Sequence, residues 1–225
     1  MNGVAGELFR CGAALMNMET RARWIAAILG LLLYAPGLQA ADFELTPAEL
    51  ELLNQGETVI RANLDAGQRR GTVRAAMLID APPAVVFQAM TRCEEALKFV
   101  PHLRRCQSIP QPDDSGTRLV EHEVDFGWYA PRLKYVFRAD VVPDQSITFR
   151  QVTGDFKANE GIWEFEAAGE HTLLRYRVHI DPPAYVPTWL ARATFRRDLP
   201  RMLTNLKQHC EAVQVLRAHA NTIPY

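Results

Sequence analysis

The chain has 225 residues, of which 48% are hydrophobic and 23% are charged, and its 25 Lys and Arg against 26 Asp and Glu give a net charge of −1. These values are ordinary for a globular protein with a genuine core, and they argue against a disordered chain. Because there is no basic excess, the broad positive field that supports nucleic-acid binding is missing, and DNA and RNA are poor candidate partners.

The first 40 residues have the pattern of a secretory leader. Arg21 and Arg23 precede the apolar run WIAAILGLLLY, and the small-residue segment LQAAD follows. This order predicts a signal peptide over residues 1–40, cleaved near Ala40, and hence an exported, periplasmic protein. A membrane anchor is the alternative, although the apolar run is shorter than the ~20 residues that span a bilayer. Met18 is a better predicted translation start than Met1, because a leader counted from Met1 would have 40 residues and signal peptides usually have ~15–30.

The segment after the leader predicts a helix, two strands and two short helices. TPAE at 46–49 is a capping box with proline at the first helical position, which opens a helix to about Asn54. ETVIRANL and GTVRAAMLID predict strands on either side of the turn-rich DAGQRRG. PPAVVFQAM then predicts a short helix, and EEALKFV a second one that ends before Pro101. We assign residues 41–70 to an N-terminal extension and residues 71–216 to the main domain.

From residue 104 onward, apolar and charged side chains alternate as they do in half-buried antiparallel strands. The predicted strands are RRCQSIP, TRLVEHEVDFGW, PRLKYVFRADVV, SITFRQV, NEGIWEFEA and HTLLRYRVHI. The side chains predicted to face inward are Val120, His122, Val124, Phe126, Leu133, Tyr135, Phe137, Ala139, Val141, Ile147, Phe149, Trp163, Phe165, Leu174, Tyr176 and Val178.

A long amphipathic helix is predicted to close the domain, with residues 217–225 as a tail. Pro200 is expected to bend or interrupt this helix. An antiparallel sheet with one apolar face has to cover that face with the helix, and a sheet that curls around it leaves a cavity between them. The residues on the apolar face of the helix are Leu199, Leu203, Leu206, Cys210 and Val213.

Export would remove Cys11 with the leader and place Cys93, Cys106 and Cys210 in an oxidising compartment, where disulfides persist. Cys93 and Cys106 enclose CEEALKFVPHLRRC, and a disulfide between them would clamp this segment. Two buried free thiols are the alternative, because two cysteines in a sequence do not establish their proximity. The sequence has no CxxC motif and no His/Cys cluster at ligand spacing, so we expect neither a metal nor another cofactor.

The order of these elements resembles the START-like helix-grip (SRPBCC) superfamily, in particular its polyketide cyclase/dehydrase and coenzyme-Q-binding branch. Three segments within residues 71–213 carry the resemblance: IDAPPAVVFQAMTRCEEALKFVPHLRRC, FRQVTGDFKANEGIWEFEA and VPTWLARATFRRDLPRMLTNLK. The resemblance implies an α+β fold in which a curved antiparallel sheet wraps around the long C-terminal helix. It also implies a deep apolar cavity for lipids, sterols, isoprenoid quinones or polyketides, often without chemistry.

Aromatic side chains on the inner face would line such a cavity, with ordinary core packing as the alternative for each of them. His122 lies among apolar neighbours, where an imidazole needs a partner or remains neutral. It can donate to a quinone or sterol oxygen, and a bond to a neighbouring side chain is the alternative. The candidate ligand-binding residues are His122, Phe126, Trp128, Tyr135, Phe137, Phe149, Trp163, Phe165, Tyr176 and Trp189.

The expected function is an exported binding protein for a hydrophobic ligand such as a lipid, an isoprenoid quinone or a sterol. The alternative is a cyclase/dehydrase-like or hydrolase-like enzyme, with His122 and a cavity tyrosine as acid and base. No nucleophile elbow, phosphate loop or zinc motif is present, so binding without chemistry is favoured.

Two further partners are expected as alternatives, a lipid bilayer and an envelope protein complex. The aromatic loop FGWYAP and the segment around Trp189 can dip into a bilayer while a ligand crosses, or they can fold back onto the protein. An accessory protein that binds an envelope complex through its surface is a further alternative.

Overall fold

The computed structural model describes residues 43–111, 116–128 and 130–222. The predicted leader, residues 1–40 with Met18 and Ala40, lies outside these ranges, as does the end of the predicted tail. From Leu45 onward the chain forms one compact unit. Each helix within the described ranges is too short or too polar to cross a membrane.

The elements follow one another in the predicted order. The N-terminal half of the unit contains α1 (Pro47–Asn54), β1 (Val59–Leu64), β2 (Gly71–Ile79), α2 (Pro83–Thr91) and α3 (Cys93–Phe99). The strands that follow are β3 (Leu103–Ile109), β4 (Thr117–Val124), β5 (Leu133–Val142), β6 (Ser146–Gly154), β7 (Ala158–Ala168) and β8 (His171–Asp181). The C-terminal helix consists of α4 (Thr188–Ala193), a π-helical turn (Thr194–Asp198) and α5 (Leu199–Thr222).

All eight strands form one antiparallel sheet in the order β1-β2-β8-β7-β6-β5-β4-β3. The sheet curves around the C-terminal helix, so the predicted α+β helix-grip fold is confirmed. Residues 59–64 pair with β2 along their whole length, and the predicted N-terminal extension therefore supplies an edge strand of the main sheet.

Helix α1 begins with the predicted capping box. The Glu49 N–H donates to the hydroxyl oxygen of Thr46 at 3.3 Å, and the Thr46 N–H donates to the Glu49 carboxylate at 2.8 Å. The Arg61 Nε–H of β1 donates to the same carboxylate at 2.7 Å. These bonds satisfy the free N–H groups at the start of the helix and attach it to the edge of the sheet.

The packed core lies between the β2 and β8 side of the sheet and α5. The side chains in this core that are at most 1% exposed include Val73, Met77, Ile79, Leu174, Val178, Leu203, Leu206 and Cys210. Four residues of the predicted apolar helix face, Leu199, Leu203, Leu206 and Cys210, belong to this core. The period-3.6 pattern of the helix therefore matches the face that the sheet covers.

The C-terminal helix continues through Pro200, where a bend or an interruption was expected, and a π-helical turn ends at Asp198, just before it. In the preceding π-helical turn the Leu199 N–H donates to the carbonyl of Thr194, five residues back. A wider turn at this point accommodates a residue that has no N–H to donate within the helix. The helix then runs to Thr222, so residues 217–222, which were expected to form part of a tail, are helical.

A disulfide joins Cys93, at the start of α3, to Cys106 in β3. It therefore attaches a short helix to the edge strand of the sheet. Cys210 is a buried free thiol in α5.

Candidate functional site

A cavity of about 280 Å³ lies between the concave face of the sheet and the C-terminal helix. Strands β4 to β8 form one wall, and helices α2 and α3 close one side. The helical side of the wall comes from Phe195, Leu199 and Met202, at the spacing that places residues on one helix face. The space therefore lies between the curved sheet and the first turns of the C-terminal helix.

Seven of the ten predicted ligand-binding residues line this cavity. They are His122, Phe126, Tyr135, Phe137, Phe149, Trp163 and Tyr176. Strand alternation predicted their common face, because every second side chain of a strand points to the same side.

The aromatic rings brace one another across neighbouring strands. The rings of Trp163 and Tyr176 stack with centroids 3.6 Å apart, and the register pairs these two residues directly. Phe149 has its ring centroid 6.4 Å from that of Tyr176. Gly161 is the register partner of Phe149, and a Cβ there would come within 2.8 Å of its ring. Glycine at this position leaves room for the phenyl group in the wall.

Three predicted ligand-binding residues do not line the cavity. Trp128 is 96% exposed, because β4 ends at Val124 and strand alternation no longer applies beyond it. Trp189 is 55% exposed on α4, whose next residue, Leu190, is buried instead. Phe165 is buried, but its ring packs edge-on against Phe87 of α2 with centroids 5.8 Å apart. Helix α2 covers the concave face at that point and excludes Phe165 from the cavity.

His122 and Tyr135 form the polar centre of the wall. The His122 Nδ1 and the Tyr135 hydroxyl oxygen are 3.2 Å apart, on residues that are register partners in β4 and β5. Burial lowers the pKa of His122 to about 4, so the imidazole is neutral near pH 7. Burial likewise raises the pKa of Tyr135, and that of Tyr176 together with the effect of Tyr135, so both phenols stay protonated. The alternative expected for His122, a bond to a neighbouring side chain, is observed, and the ring also lines the cavity.

Charged side chains are found at the two ends of β4. Near its end, His102 Nε2 lies 3.5 Å from an oxygen of Asp198, and the His102 ring packs against Phe126 with centroids 4.9 Å apart. Near its start, an Arg118 nitrogen donates to the carbonyl of Thr91 at 3.3 Å. These residues line the cavity together with the aromatic rings and with the His122 and Tyr135 pair.

Sequence reasoning missed the residues that come from irregular segments. Phe156 lies between β6 and β7, and His102 precedes β3 with a φ of 63°. No periodic pattern marks such positions, so no simple sequence signal could have found them. Within the part of the chain that the structure describes, no three His, Cys, Asp or Glu side chains are grouped as metal ligands.

Comparison with known proteins gives a family and a fold. The sequence profile of one family, described as polyketide cyclase / dehydrase and lipid transport, matches residues 79–207. No curated protein sequence matches the chain significantly.

Several solved structures share the architecture. The Zhui aromatase/cyclase from Streptomyces sp. R1128 is 17% identical, with a TM-score of 0.54 over 68% of this chain and 98% of that one. The STAR-related lipid transfer protein from Xanthomonas axonopodis is 15% identical, with a TM-score of 0.56 over 68% and 93%. Human STARD10 is 8% identical, with a TM-score of 0.57 over 74% of each chain. At these identities the likeness shows a common fold.

Proposed function

The chain belongs to the polyketide cyclase / dehydrase and lipid transport family, and from this premise we propose that it binds a hydrophobic small molecule and shields it from water. The candidate ligands are a lipid, an isoprenoid quinone and a sterol. The observation that carries the proposal is the cavity of about 280 Å³, whose wall is mainly apolar and includes many aromatic rings. Relatives of this fold include a lipid transfer protein, which supports the same assignment.

Burial of apolar surface would provide the binding free energy, at ~25 cal/mol per Å² before the costs of association are subtracted. The cavity volume is near the lower end of the ~300–1,000 Å³ that ligand sites usually have. A compact ring system or a single apolar chain therefore fits better than a whole lipid with two chains.

Export to the periplasm is part of the proposal. The predicted leader, residues 1–40, supports it, and so does the disulfide between Cys93 and Cys106, because disulfides are rare in the reducing cytosol. Fractionation of the native host, with the mass of the mature chain, tests this part. A mature N-terminus near residue 41 in the periplasmic fraction is the expected result, and an uncleaved cytosolic chain would contradict it.

Transient contact with a bilayer is proposed for one end of the molecule. Trp128 on the β4–β5 loop, and Tyr185 and Trp189 on the segment from the end of β8 through α4, are each more than half exposed. These two segments pack together through a small apolar cluster that includes Phe126 and Phe156, which also line the cavity. Exposed aromatic rings next to a ligand cavity are suited to the membrane interface. Replacing both tryptophans by serine is expected to reduce binding to lipid vesicles without changing affinity for a soluble ligand.

Extraction of the protein purified from its own host tests the main proposal. We expect native mass spectrometry to show one apolar molecule per chain. The variant Ala139→Phe adds a ring inside the cavity and should remove this molecule, whereas Ala62→Phe, the same change on the exposed edge strand, should retain it. Protein that is always empty and also fails to bind quinone, sterol and fatty-acid probes would contradict the proposal.

A second candidate function, a cyclase/dehydrase-like reaction in the same cavity, is favoured by the contact between His122 and Tyr135. A neutral imidazole can accept a proton and a protonated phenol can donate one. His122→Gln would then lower turnover of an apolar substrate by ~100-fold. A binding protein would instead keep most of its affinity after the same substitution.

A further inference from the structure

The contact between His122 and Tyr135 leaves one donor hydrogen unused. A neutral imidazole carries one N–H, and a phenol carries one O–H. The bond of 3.2 Å between the two side chains uses one of these two hydrogens in either tautomer. If Tyr135 donates, the Nε2–H of His122 remains; if His122 donates, the O–H of Tyr135 remains. The count is therefore independent of the tautomer.

The remaining hydrogen has no acceptor in the described residues. His122 and Tyr135 make no other hydrogen bond there, and the hydroxyl of Tyr176 makes none. The neighbours of Tyr176 are the stacked ring of Trp163 and the ring of Phe149. All three polar side chains face the same cavity.

A ligand is the natural acceptor for these hydrogens. In a cavity lined mainly by apolar groups, a donor hydrogen that faces the open space is best satisfied by an accepting atom of a bound molecule. We infer that the ligand of the proposed function carries an uncharged accepting oxygen, the carbonyl of a ketone, quinone or ester, and that His122, Tyr135 and Tyr176 bind this oxygen. The inference rests on the proposed function and narrows its ligand class.

The chemistry of the site separates a carbonyl from other groups. A carbonyl oxygen has two lone pairs, so it can accept both from the His122 and Tyr135 pair and from Tyr176. A hydrocarbon would leave these donors unpaired. A carboxylate placed against His122, Tyr135 and Tyr176 would lose its hydration without a cationic partner among these three side chains, which is unfavourable.

Two probes of one shape test the inference. Fluorenone and fluorene differ only in the carbonyl, so their affinity ratio isolates the contribution of its oxygen. We expect the protein to bind fluorenone about tenfold more tightly, the scale of one or two net hydrogen bonds. The infrared carbonyl stretch of bound fluorenone should also lie at lower frequency than in an alkane solvent. Neither measurement requires a variant that might fold poorly.

Variants identify the donors. Each single substitution in the pair leaves one donor hydrogen, so the double variant His122→Leu/Tyr135→Phe should weaken the fluorenone preference more than either change alone. Tyr176→Phe should weaken it independently. His219→Leu, the change made at His122 but at an exposed position of α5 outside the cavity, should leave it unchanged. Equal affinities with an unshifted stretch would overturn the inference alone, whereas binding of neither probe would overturn both it and the proposed function.

Discussion

The two halves of one sheet meet the C-terminal helix in different ways. On the side of β2 and β8, side chains such as Met77 and Leu174 share one buried cluster with Leu203 and Leu206, and all four are at most 1% exposed. On the side of β4 to β6, the strands face Met202 and its neighbours across the cavity. A single sheet and a single helix thus provide both a packed core and a binding space.

The residue types of the two halves explain why one is packed and the other encloses a cavity. The side of β2 and β8, here called the packed half, uses aliphatic side chains that interdigitate with the helix, and the side of β4 to β6 is called the cavity half. The cavity half uses rings such as Phe137 and Phe149, whose centroids are 6.2 Å apart, and these rings contact each other across strands. Cross-strand ring pairs stabilise a wall without requiring a partner on the opposite side. The packed half therefore resembles an ordinary close-packed core, and the cavity half retains space for a ligand.

The largest expected effect comes from the disulfide that closes the cavity half. Cys93 and Cys106 are 13 residues apart, and closing a loop of this length stabilises a protein by about 3 kcal/mol. The double variant Cys93→Ala/Cys106→Ala should lose that much free energy of unfolding in a urea titration. Reductant should lower the free energy of unfolding of the wild type to that of the double variant, and it should leave the double variant's own value unchanged. A wild type that does not respond to reductant would show that covalent closure is not what stabilises this half.

The next effect compares two neighbouring turns of one helix. Leu206→Ala, in the packed half, should lower the free energy of unfolding by about 3 kcal/mol, because it leaves a void in a close-packed core. Met202→Ala, at the cavity wall, should cost only about 1 kcal/mol, because its side chain already borders open space. Urea titrations of both variants measure the difference. Equal losses would mean that the two halves are packed alike.

Much of the fold was accessible to sequence reasoning because its determinants are local. Alternation placed His122, Tyr135 and Trp163 on one face, and the capping box at 46–49 marked the start of α1. Helical spacing identified the face of α5 that packs in the core. Each of these signals depends on a few consecutive residues, so it does not require knowledge of what the element packs against.

The site was less accessible because its limits are set by distant parts of the chain. Phe165 continues the alternation of β7, yet α2 covers it and excludes it from the cavity. Trp128 was assigned to a strand that ends four residues earlier, at Val124. The bond between His122 and Tyr135 depends on the β4–β5 register, which the long connection between these strands does not reveal.

A smaller effect concerns pH and the polar centre of the cavity half. The pKa of His122 is about 4 in the folded protein, against ~6.5 for an exposed histidine. Between these values the unfolded chain binds more protons, so stability falls as pH falls from 6.5 toward 4. We expect a loss of about 2 kcal/mol between pH 6.5 and 4.5, as an order of magnitude. His122→Leu should remove most of this dependence, and parallel pH profiles for the two proteins would contradict the assignment.

The smallest effect is expected on the opposite face of the strand that carries Phe149. Arg150 follows it in β6 and forms an ion pair of 2.9 Å with Glu160, with both side chains largely in solvent. Exposed pairs of this kind contribute little, so Arg150→Gln should change the free energy of unfolding by less than about 0.5 kcal/mol and leave fluorenone affinity unchanged. Phe149→Leu, one residue earlier, should reduce that affinity, because it removes part of the ring wall. Comparable changes in affinity from both variants would show that binding depends on β6 as a whole and not on its concave face.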